Sequence, residues 1–232
     1  MIIDYLGHSG FLVETERQLL LFDYYRGDLS LLAEKPADKP LFVFVSHAHP
    51  DHFNPAVFAL SGRPVHYLLS FDLRASRDVP PGPGVTWLEA DETRVIPGLG
   101  TVRTLLSTDE GVAFLVETGE ETLFHAGDLH WWDWAGEDPD WLADQERLFK
   151  REVGTLTGVG IDAAFLVLDD RLERNYARGM AWFLQRCRPR YALPMHFWSD
   201  KTVIDRFRAM PGATPPDTRI LDTANETHWE LT

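Results

Sequence analysis

The chain has 232 residues, of which 44% are hydrophobic and 25% charged, and its formal net charge is −14. This length allows one substantial core, and the negative charge disfavours nucleic acid as a partner because an acidic protein repels polyanions at long range. No apolar run approaches the roughly 20 residues that span a bilayer, and the N-terminal residues lack the pattern of a signal peptide. We therefore expect a soluble protein that has no membrane partner and acts on a small molecule.

The single cysteine, Cys187, excludes an intrachain disulfide framework and fits a reducing cytosol, so we expect a cytoplasmic location. Its position in a predicted helix favours a half-buried structural thiol over a nucleophile. The sequence does not indicate the oligomeric state.

Short strands dominate the first part of the chain, separated by glycine, proline and charged turns. They are predicted at Ile2–Leu6, Phe11–Glu14, Leu19–Asp23, Leu41–Ser46 and Val65–Leu69. The sequence Pro80-Pro81-Gly82-Pro83-Gly84 predicts a loop. A second set of strands is predicted at Thr86–Leu88, Val95–Ile96, Val102–Leu106, Val112–Glu117, Leu123–Ala126, Ala163–Val167 and Tyr191–Leu193.

Helical patterns interrupt these strands at three places. Asn54 is a candidate cap for a helix that has Pro55 at its first position and continues through Leu60. Asp138-Pro139 opens a second helix, and Tyr176–Arg186 has the apolar spacing of a third. The mixture predicts a layered α/β protein, and because no linker is visible we expect one domain over residues 1–232.

The run His47-Ala48-His49-Pro50-Asp51-His52 holds four candidate metal ligands and directly follows the buried strand Leu41–Ser46. Imidazole nitrogens and a carboxylate so close together suit Zn²⁺, Mn²⁺ or Fe²⁺. His47 and His49 would point to one side of an extended loop, and the two ligands beyond Pro50 could point elsewhere. The run can therefore serve two metal positions a few ångströms apart.

Three other segments carry motifs that, together with this run, occur in a recognisable order along the chain. Gly7–Glu14 followed by Leu19–Asp23 has the pattern of an opening hairpin. Phe124–Asp128 is a predicted strand that ends in Gly-Asp, and Ala192–Phe197 is one that carries His196 near its end. Together the four segments resemble the metallo-β-lactamase superfamily. The best overall likeness is to its stand-alone metal-dependent hydrolases related to ascorbate-phosphate lactonases. The resemblance implies a four-layer αββα sandwich, two β-sheets flanked by helices.

The resemblance also implies roles for single residues. Asp23 matches the acidic residue that supports the site, Asp128 the aspartate that bridges two metals, and His196 the histidine that completes the second metal. The implied ligand set is therefore His47, His49, Asp51, His52, Asp128 and His196. Zinc is the expected metal, as one or two ions, with manganese or iron as alternatives.

The chain departs from the family pattern at the third motif. A histidine normally follows the strand that corresponds to Val102–Leu106, but this sequence continues Ser107-Thr108-Asp109-Glu110-Gly111. The first position, built on His47 and His49, thus lacks an expected imidazole. Asp109 or His130 could replace it, or the position could be weak and only one metal bind. We favour a depleted first position.

Three residues outside the ligand set are candidates for binding substrate. His8 lies in a glycine-rich turn that the family fold would bring near the metal, although a solvent-facing turn histidine fits equally well. Trp131 belongs to the cluster His130, Trp131, Trp132 and Trp134, which could form an apolar wall or a packed loop. Arg171 could grip an anionic group or only close a salt-bridged turn.

Taken together, these features predict a metal-dependent hydrolase that uses a metal-activated water on a lactone, an ester or a phosphodiester. Asp51 is the candidate catalytic residue, since it could orient that water or accept its proton. The alternative is a non-catalytic metal-binding or sensing protein with a degenerate site. Retention of Asp51 favours the enzyme, because imidazoles alone would suffice for a purely structural site.

Overall fold

Two seven-stranded β-sheets make up the centre of the computed structural model, which describes residues 1–80 and 84–232. Every predicted strand is present, and the strand ends differ from those expected by at most two residues. Pro81, Gly82 and Pro83 of the predicted loop lie outside the described residues.

The first sheet has the order β14-β1-β2-β3-β4-β5-β6. The neighbours from β14 to β3 pair antiparallel and those from β3 to β6 pair parallel. Its strands are β1 (Ile2–Gly7), β2 (Gly10–Glu14), β3 (Leu19–Phe22), β4 (Leu41–Val45), β5 (Val65–Ser70), β6 (Val85–Leu88) and β14 (His228–Glu230).

The second sheet repeats this arrangement in the order β7-β8-β9-β10-β11-β12-β13, antiparallel from β7 to β10 and parallel from β10 to β13. Its strands are β7 (Thr93–Ile96), β8 (Gly100–Leu106), β9 (Val112–Glu117), β10 (Thr122–His125), β11 (Ala163–Val167), β12 (Tyr191–Met195) and β13 (Arg219–Ile220).

Aromatic side chains fill the space between the two sheets. The rings of Phe22 and Phe44 stack with centroids 4.7 Å apart, and Phe44 meets Phe114 of the opposite sheet at 5.2 Å. Phe11 and Phe165 form a second contact between the sheets, at 4.4 Å. Because β4 and β11 are buried along their whole length, both read as continuous apolar runs.

Helices cover the outer faces of the sheets and complete the αββα sandwich that the resemblance implied. On the first sheet lie α1 (Leu31–Glu34) and a 3-10 helix at Pro55–Ala59. The second of these is the helix predicted to begin at Pro55 and continue through Leu60. Asn54 caps it by accepting a hydrogen bond from the Ala56 amide. The second sheet carries α2 (Pro139–Gly154), α3 (Arg178–Cys187) and α4 (Val203–Arg208).

Cys187 ends α3 and is buried, as the sequence predicted for a structural thiol. Burial raises the pKa of this thiol to about 12, so almost none of it is the nucleophilic thiolate at neutral pH. None of the helices in the described part of the chain has the length and apolar character needed to cross a membrane.

The parallel strands of each sheet determine where the candidate site residues lie. Parallel neighbours end at the same edge of a sheet, so the segments that follow β3, β4, β10 and β12 all emerge at the edge where ligand sites of such sheets form. These segments carry Asp23, the histidine-rich run, Asp128 and His196.

Candidate metal centre

Asp23 forms the floor of the centre. Its carboxylate is fully buried and accepts hydrogen bonds from the Ser46 amide (2.8 Å), the Ser46 hydroxyl (2.6 Å) and His52 Nδ1 (2.7 Å). The Ser46 hydroxyl oxygen in turn lies 2.9 Å from His47 Nδ1, from which it accepts. Both histidines therefore carry their proton on Nδ1 and direct the Nε2 lone pair into the site.

One cluster of candidate ligands consists of His8, Asp51, His52 and His196, and one donor atom from each lies within 4.8 Å of all the others. His8 Nε2 is 3.1 Å from Asp51 Oδ2, and His196 Nε2 is 3.8 Å from the same oxygen. Sequence reasoning placed His8 only near the mouth of the site. The structure places its Nε2 among the candidate donor atoms of this cluster, which corresponds to the second metal position.

The other cluster consists of His47, His49, Asp109 and Asp128, within the same distance limit. His47 Nε2 is 3.0 Å from His49 Nδ1 and 3.7 Å from Asp128 Oδ2, and His49 Nδ1 is 3.7 Å from Asp109 Oδ2. Asp109 thus lies where the family's missing histidine was expected. The first position has four candidate donors, although the side chains of His49 and Asp109 are 40% and 43% exposed.

Asp128 joins the two clusters. Its Oδ2 faces His47, whereas its Oδ1 lies 3.1 Å from His52 Nε2 and 3.5 Å from His196 Nε2. Gly127, just before it, has φ = +50°, and a Cβ there would lie 2.7 Å from the Ser46 Cβ. Only glycine lets the chain pass so close to β4 and deliver the aspartate between the clusters.

The donor atoms are better placed to bind a divalent cation than to form hydrogen bonds with one another. Among the described residues, the buried His8 Nε2, His52 Nε2, Asp128 Oδ1 and His196 Nε2 have no hydrogen-bond partner, although they lie close together. Ligands lie ~2.0–2.2 Å from a Zn²⁺ ion, so two ligands of one ion are about 3–3.5 Å apart. Most of the observed separations of 3.0–3.8 Å lie in or just beyond that range.

The electrostatics of the centre also favour a cation. Burial opposes ionisation of Asp128, but His52 and His196 outweigh it and hold the pKa of that carboxyl well below its usual value. Burial and the neighbouring His52 lower the pKa of His47 to about 4, which keeps it neutral and free to ligate. Burial and the charge of Asp128 raise the pKa of Asp109, as expected where negative charge is concentrated without a counterion.

His196 is oriented by a carboxylate of its own. Its Nδ1 donates to Asp169 Oδ2 at 2.9 Å, and Asp169 is also held by the Arg171 guanidinium through Nε (2.9 Å) and Nη2 (2.5 Å). Burial opposes ionisation of Asp169, but the bonds from His196 and Arg171 lower its pKa to about 2. The salt-bridged turn expected at Arg171 is present, and through Asp169 it also orients the candidate ligand His196.

A cavity of about 270 Å³ opens onto both clusters. Tryptophan side chains from three separate segments form much of its wall, and Arg171 lies among them. The cavity is lined by His49, Asp51, Thr108, Asp109, Asp128, Trp132, Trp134, Trp141, Arg171, His196 and Trp198. A metal centre that faces a small, partly apolar cavity is typical of a site for a small molecule.

Two predicted site residues lie outside this arrangement. His130 is buried beside Trp132 and packs on Gly179, where a Cβ would lie 2.4 Å from its ring, and it belongs to neither ligand cluster. Trp131 faces α2, with Lys150 Nζ 4.5 Å from its ring centroid, and it does not line the cavity. The ligand and substrate roles of the other candidates stay predictions.

Sequence reasoning missed Trp141 and Trp198 as wall residues. Trp141 lies in the first turn of the helix that Asp138-Pro139 opens, and it is 39% exposed and lines the cavity. Trp198 has φ = +46°, and its indole lies 4.6 Å from the His8 ring. The only signal in the sequence was its position two residues after His196.

Backbone conformations with positive φ are concentrated at this centre. Four non-glycine residues of the site adopt them: His8 (φ 56°), Asp23 (φ 38°), His196 (φ 66°) and Trp198 (φ 46°). Such conformations are unfavourable for residues with a Cβ and occur where the surroundings hold them in place.

Comparison with known proteins supports the assignment that the fold and the clusters suggest. The β-lactamase superfamily domain matches residues 2–133 of the chain. A UPF0173 metal-dependent hydrolase of Opitutus terrae is 32% identical in an alignment of 239 positions, which covers 95% of this chain and 96% of the relative.

Two solved structures share the fold at low sequence identity. Igni18, a metallo hydrolase of Ignicoccus hospitalis, superposes with a TM-score of 0.66 at 16% identity, over 100% of this chain and 99% of its own. The metallo-β-lactamase fold protein YhfI of Bacillus subtilis superposes with a TM-score of 0.64 at 16% identity, over 99% of both chains. With a domain match over more than half of its length and a relative aligned over nearly all of it, this chain belongs to the metallo-β-lactamase superfamily and, within it, to the UPF0173 family of metal-dependent hydrolases.

Proposed function

We propose that the protein hydrolyses a small-molecule lactone, ester or phosphodiester, using one or two divalent ions held by the two clusters. Zinc is the proposed metal, and manganese or iron would suit the same nitrogen and oxygen donors. The observation that carries the proposal is the convergence of unpartnered buried donor atoms on a cavity sized for a small molecule.

Asp51 is the residue best placed to act on the reacting water. A divalent ion held here would lower the pKa of a coordinated water towards neutrality and polarise the bond to be cleaved. The Asp51 side chain is 23% exposed, lines the cavity and belongs to the second cluster. Burial opposes its ionisation, but nearby His8 and His52 hold its pKa below the usual value. It is therefore ionised at neutral pH and able to orient a water by accepting a hydrogen bond from it.

The other side chains of the centre would hold the metal and orient the groups around it, and they would not take part in the reaction itself. His52 and His196 each keep Nε2 available because a carboxylate binds their Nδ1 proton. His8 lies against Asp51 and limits the positions that this carboxylate can adopt. The indoles of the cavity wall exclude water from one side of the bound molecule.

The proposal is tested by metal analysis together with a panel of lactones, esters and phosphodiesters. We expect turnover on at least one class, and a decrease in kcat of about 10²-fold or more in Asp51→Asn, which is the range ascribed to a general base. Asp78→Asn, at an exposed aspartate, is the matched control. Full metal loading without turnover on any class, and without any effect of Asp51→Asn, would contradict the hydrolase proposal and favour a metal-binding or sensing protein.

The two positions are expected to differ in affinity. The second is built from three buried histidines and a partly exposed Asp51, whereas the first includes two half-exposed side chains, which agrees with a weaker first position. We predict that Asp109→Asn removes the ion at the first position and leaves the second, as counted by anomalous diffraction at the metal edges. Glu110→Gln, at a neighbouring acid 3.5 Å from His49 Nε2, should leave the count unchanged. Equal occupancy of both positions in Asp109→Asn would exclude Asp109 as a ligand.

A further inference from the structure

Arg171 occupies an unusual place in the cavity wall. Its guanidinium carbon lies 5.4 Å from the ring centroid of Trp134 and 5.0 Å from that of Trp198, so it stacks against two indoles. Its Nε and Nη2 are bound to the buried Asp169. Cation–π contacts on two rings and a bidentate carboxylate hold the group in a defined orientation.

This packing leaves one part of the guanidinium free. Within the described residues Nη1 makes no hydrogen bond, although the Arg171 side chain is 45% exposed and lines the cavity. Asp169 occupies one edge of the guanidinium and two indoles lie beside it, so the remaining edge is available to a ligand in the cavity. That edge presents N–H donors in one plane, which matches the oxygens of a carboxylate or a phosphate.

The rest of the wall is flat and apolar. Trp132 and Trp134 stack on each other with centroids 5.8 Å apart and planes 3° from parallel, and Trp141 and Trp198 also line the cavity. Indole surfaces favour planar, apolar groups. The cavity volume of about 270 Å³ has room for a group of one or two rings.

We propose that the substrate is a small anion with a planar apolar body, whose carboxylate or phosphate binds Arg171 while its scissile bond lies at the metal centre. This inference rests on the proposed function, since it names the substrate class of the same site.

The test compares two probes of equal shape, 2-naphthoate and its neutral amide 2-naphthamide, with the metal-loaded protein. Binding is measured by calorimetry and by quenching of tryptophan fluorescence. We expect the anion to bind about 10- to 100-fold more tightly, as a charge-assisted bidentate pair allows. In Arg171→Gln this preference should fall to less than about threefold, and Arg171→Lys should keep part of it because the charge remains.

Arg186→Gln is the matched control, because Arg186 also stacks on an indole, that of Trp182 at 5.2 Å, but does not line the cavity. It should keep the full preference for the anion. Metal content is measured for each variant, since Asp169 holds both Arg171 and His196.

Two results would overturn the inference. Equal binding of both probes by the native chain would show that the cavity does not select an anion. A preference that persists in Arg171→Gln and disappears on chelation would identify the metal, not the arginine, as the receptor. Tight, Arg171-dependent binding without hydrolysis of any lactone, ester or phosphodiester in the panel would instead leave anion recognition by Arg171 standing and refute the proposed function.

Discussion

Replacing Asp128 by asparagine is expected to weaken both metal positions at once. The carboxylate is buried between the clusters, with Oδ2 facing His47 and Oδ1 facing His52 and His196. A pair of unit charges 4 Å apart contributes about 4 kcal/mol at an effective dielectric constant of 20, which corresponds to about 10³-fold in a binding constant. We therefore expect metal dissociation constants to rise by about that factor at each position, and hydrolysis to fall with them.

The measurement is metal content after dialysis against a metal buffer, together with kcat on whichever substrate the panel identifies. Asp133→Asn is a suitable control, because Asp133 lies in the same loop but is paired with Arg178 and belongs to neither cluster. If Asp128→Asn lost only one of the two ions, Asp128 would be a ligand of one position and not a bridge.

A second large effect is expected from Asp23→Asn, although Asp23 belongs to neither cluster of donor atoms. An asparagine can direct its amide N–H towards His52 Nδ1, which then has to accept, and the ring proton moves to Nε2. That nitrogen would point a proton at the second metal position. Loss of such an orienting partner typically weakens metal binding 10- to 100-fold, and rearranging a buried hydrogen-bonded group costs about 1–3 kcal/mol of stability.

Metal affinity by chelator competition and stability by urea unfolding of the metal-free protein separate these two effects. Asp4→Asn provides the comparison, since Asp4 is also buried and pairs with Lys35 at 2.8 Å and His228 at 2.6 Å, away from the centre. It should lower stability and leave metal affinity unchanged. An Asp23→Asn protein with native affinity would show that Asp23 supports the fold alone.

The sequence was sufficient to predict the central strands β3, β4, β11 and β12 because they are buried along their whole length and read as apolar runs. It was insufficient for the edge strands Arg219–Ile220 and His228–Glu230. These have only two and three residues, and their pairing depends on β12 and β1 rather than on a pattern of their own. The sequence also did not predict the 3-10 conformation at Pro55–Ala59, since a cap and a proline indicate where a helix starts but not whether it is an α-helix or a 3-10 helix.

At the site, sequence order identified the segments but not the directions of their side chains. The histidine-rich run, Asp128 and His196 follow strands, so their meeting at one sheet edge could be inferred. The sequence could not predict that Trp131 lies outside the cavity and that Trp141 lines it. A tryptophan in a loop or on a helix has the same local pattern whether it faces the core or a cavity, and packing between distant segments determines which.

The positive φ angles at His8 and His196 have a consequence for any attempt to improve this protein. Glycine would relax the backbone at either position, so design that considers only backbone strain would favour it there. The same exchange would delete an imidazole from the second cluster. Relief of backbone strain and retention of the metal are therefore opposed at these two positions. A variant chosen only for a relaxed backbone would lose one donor atom of the second cluster.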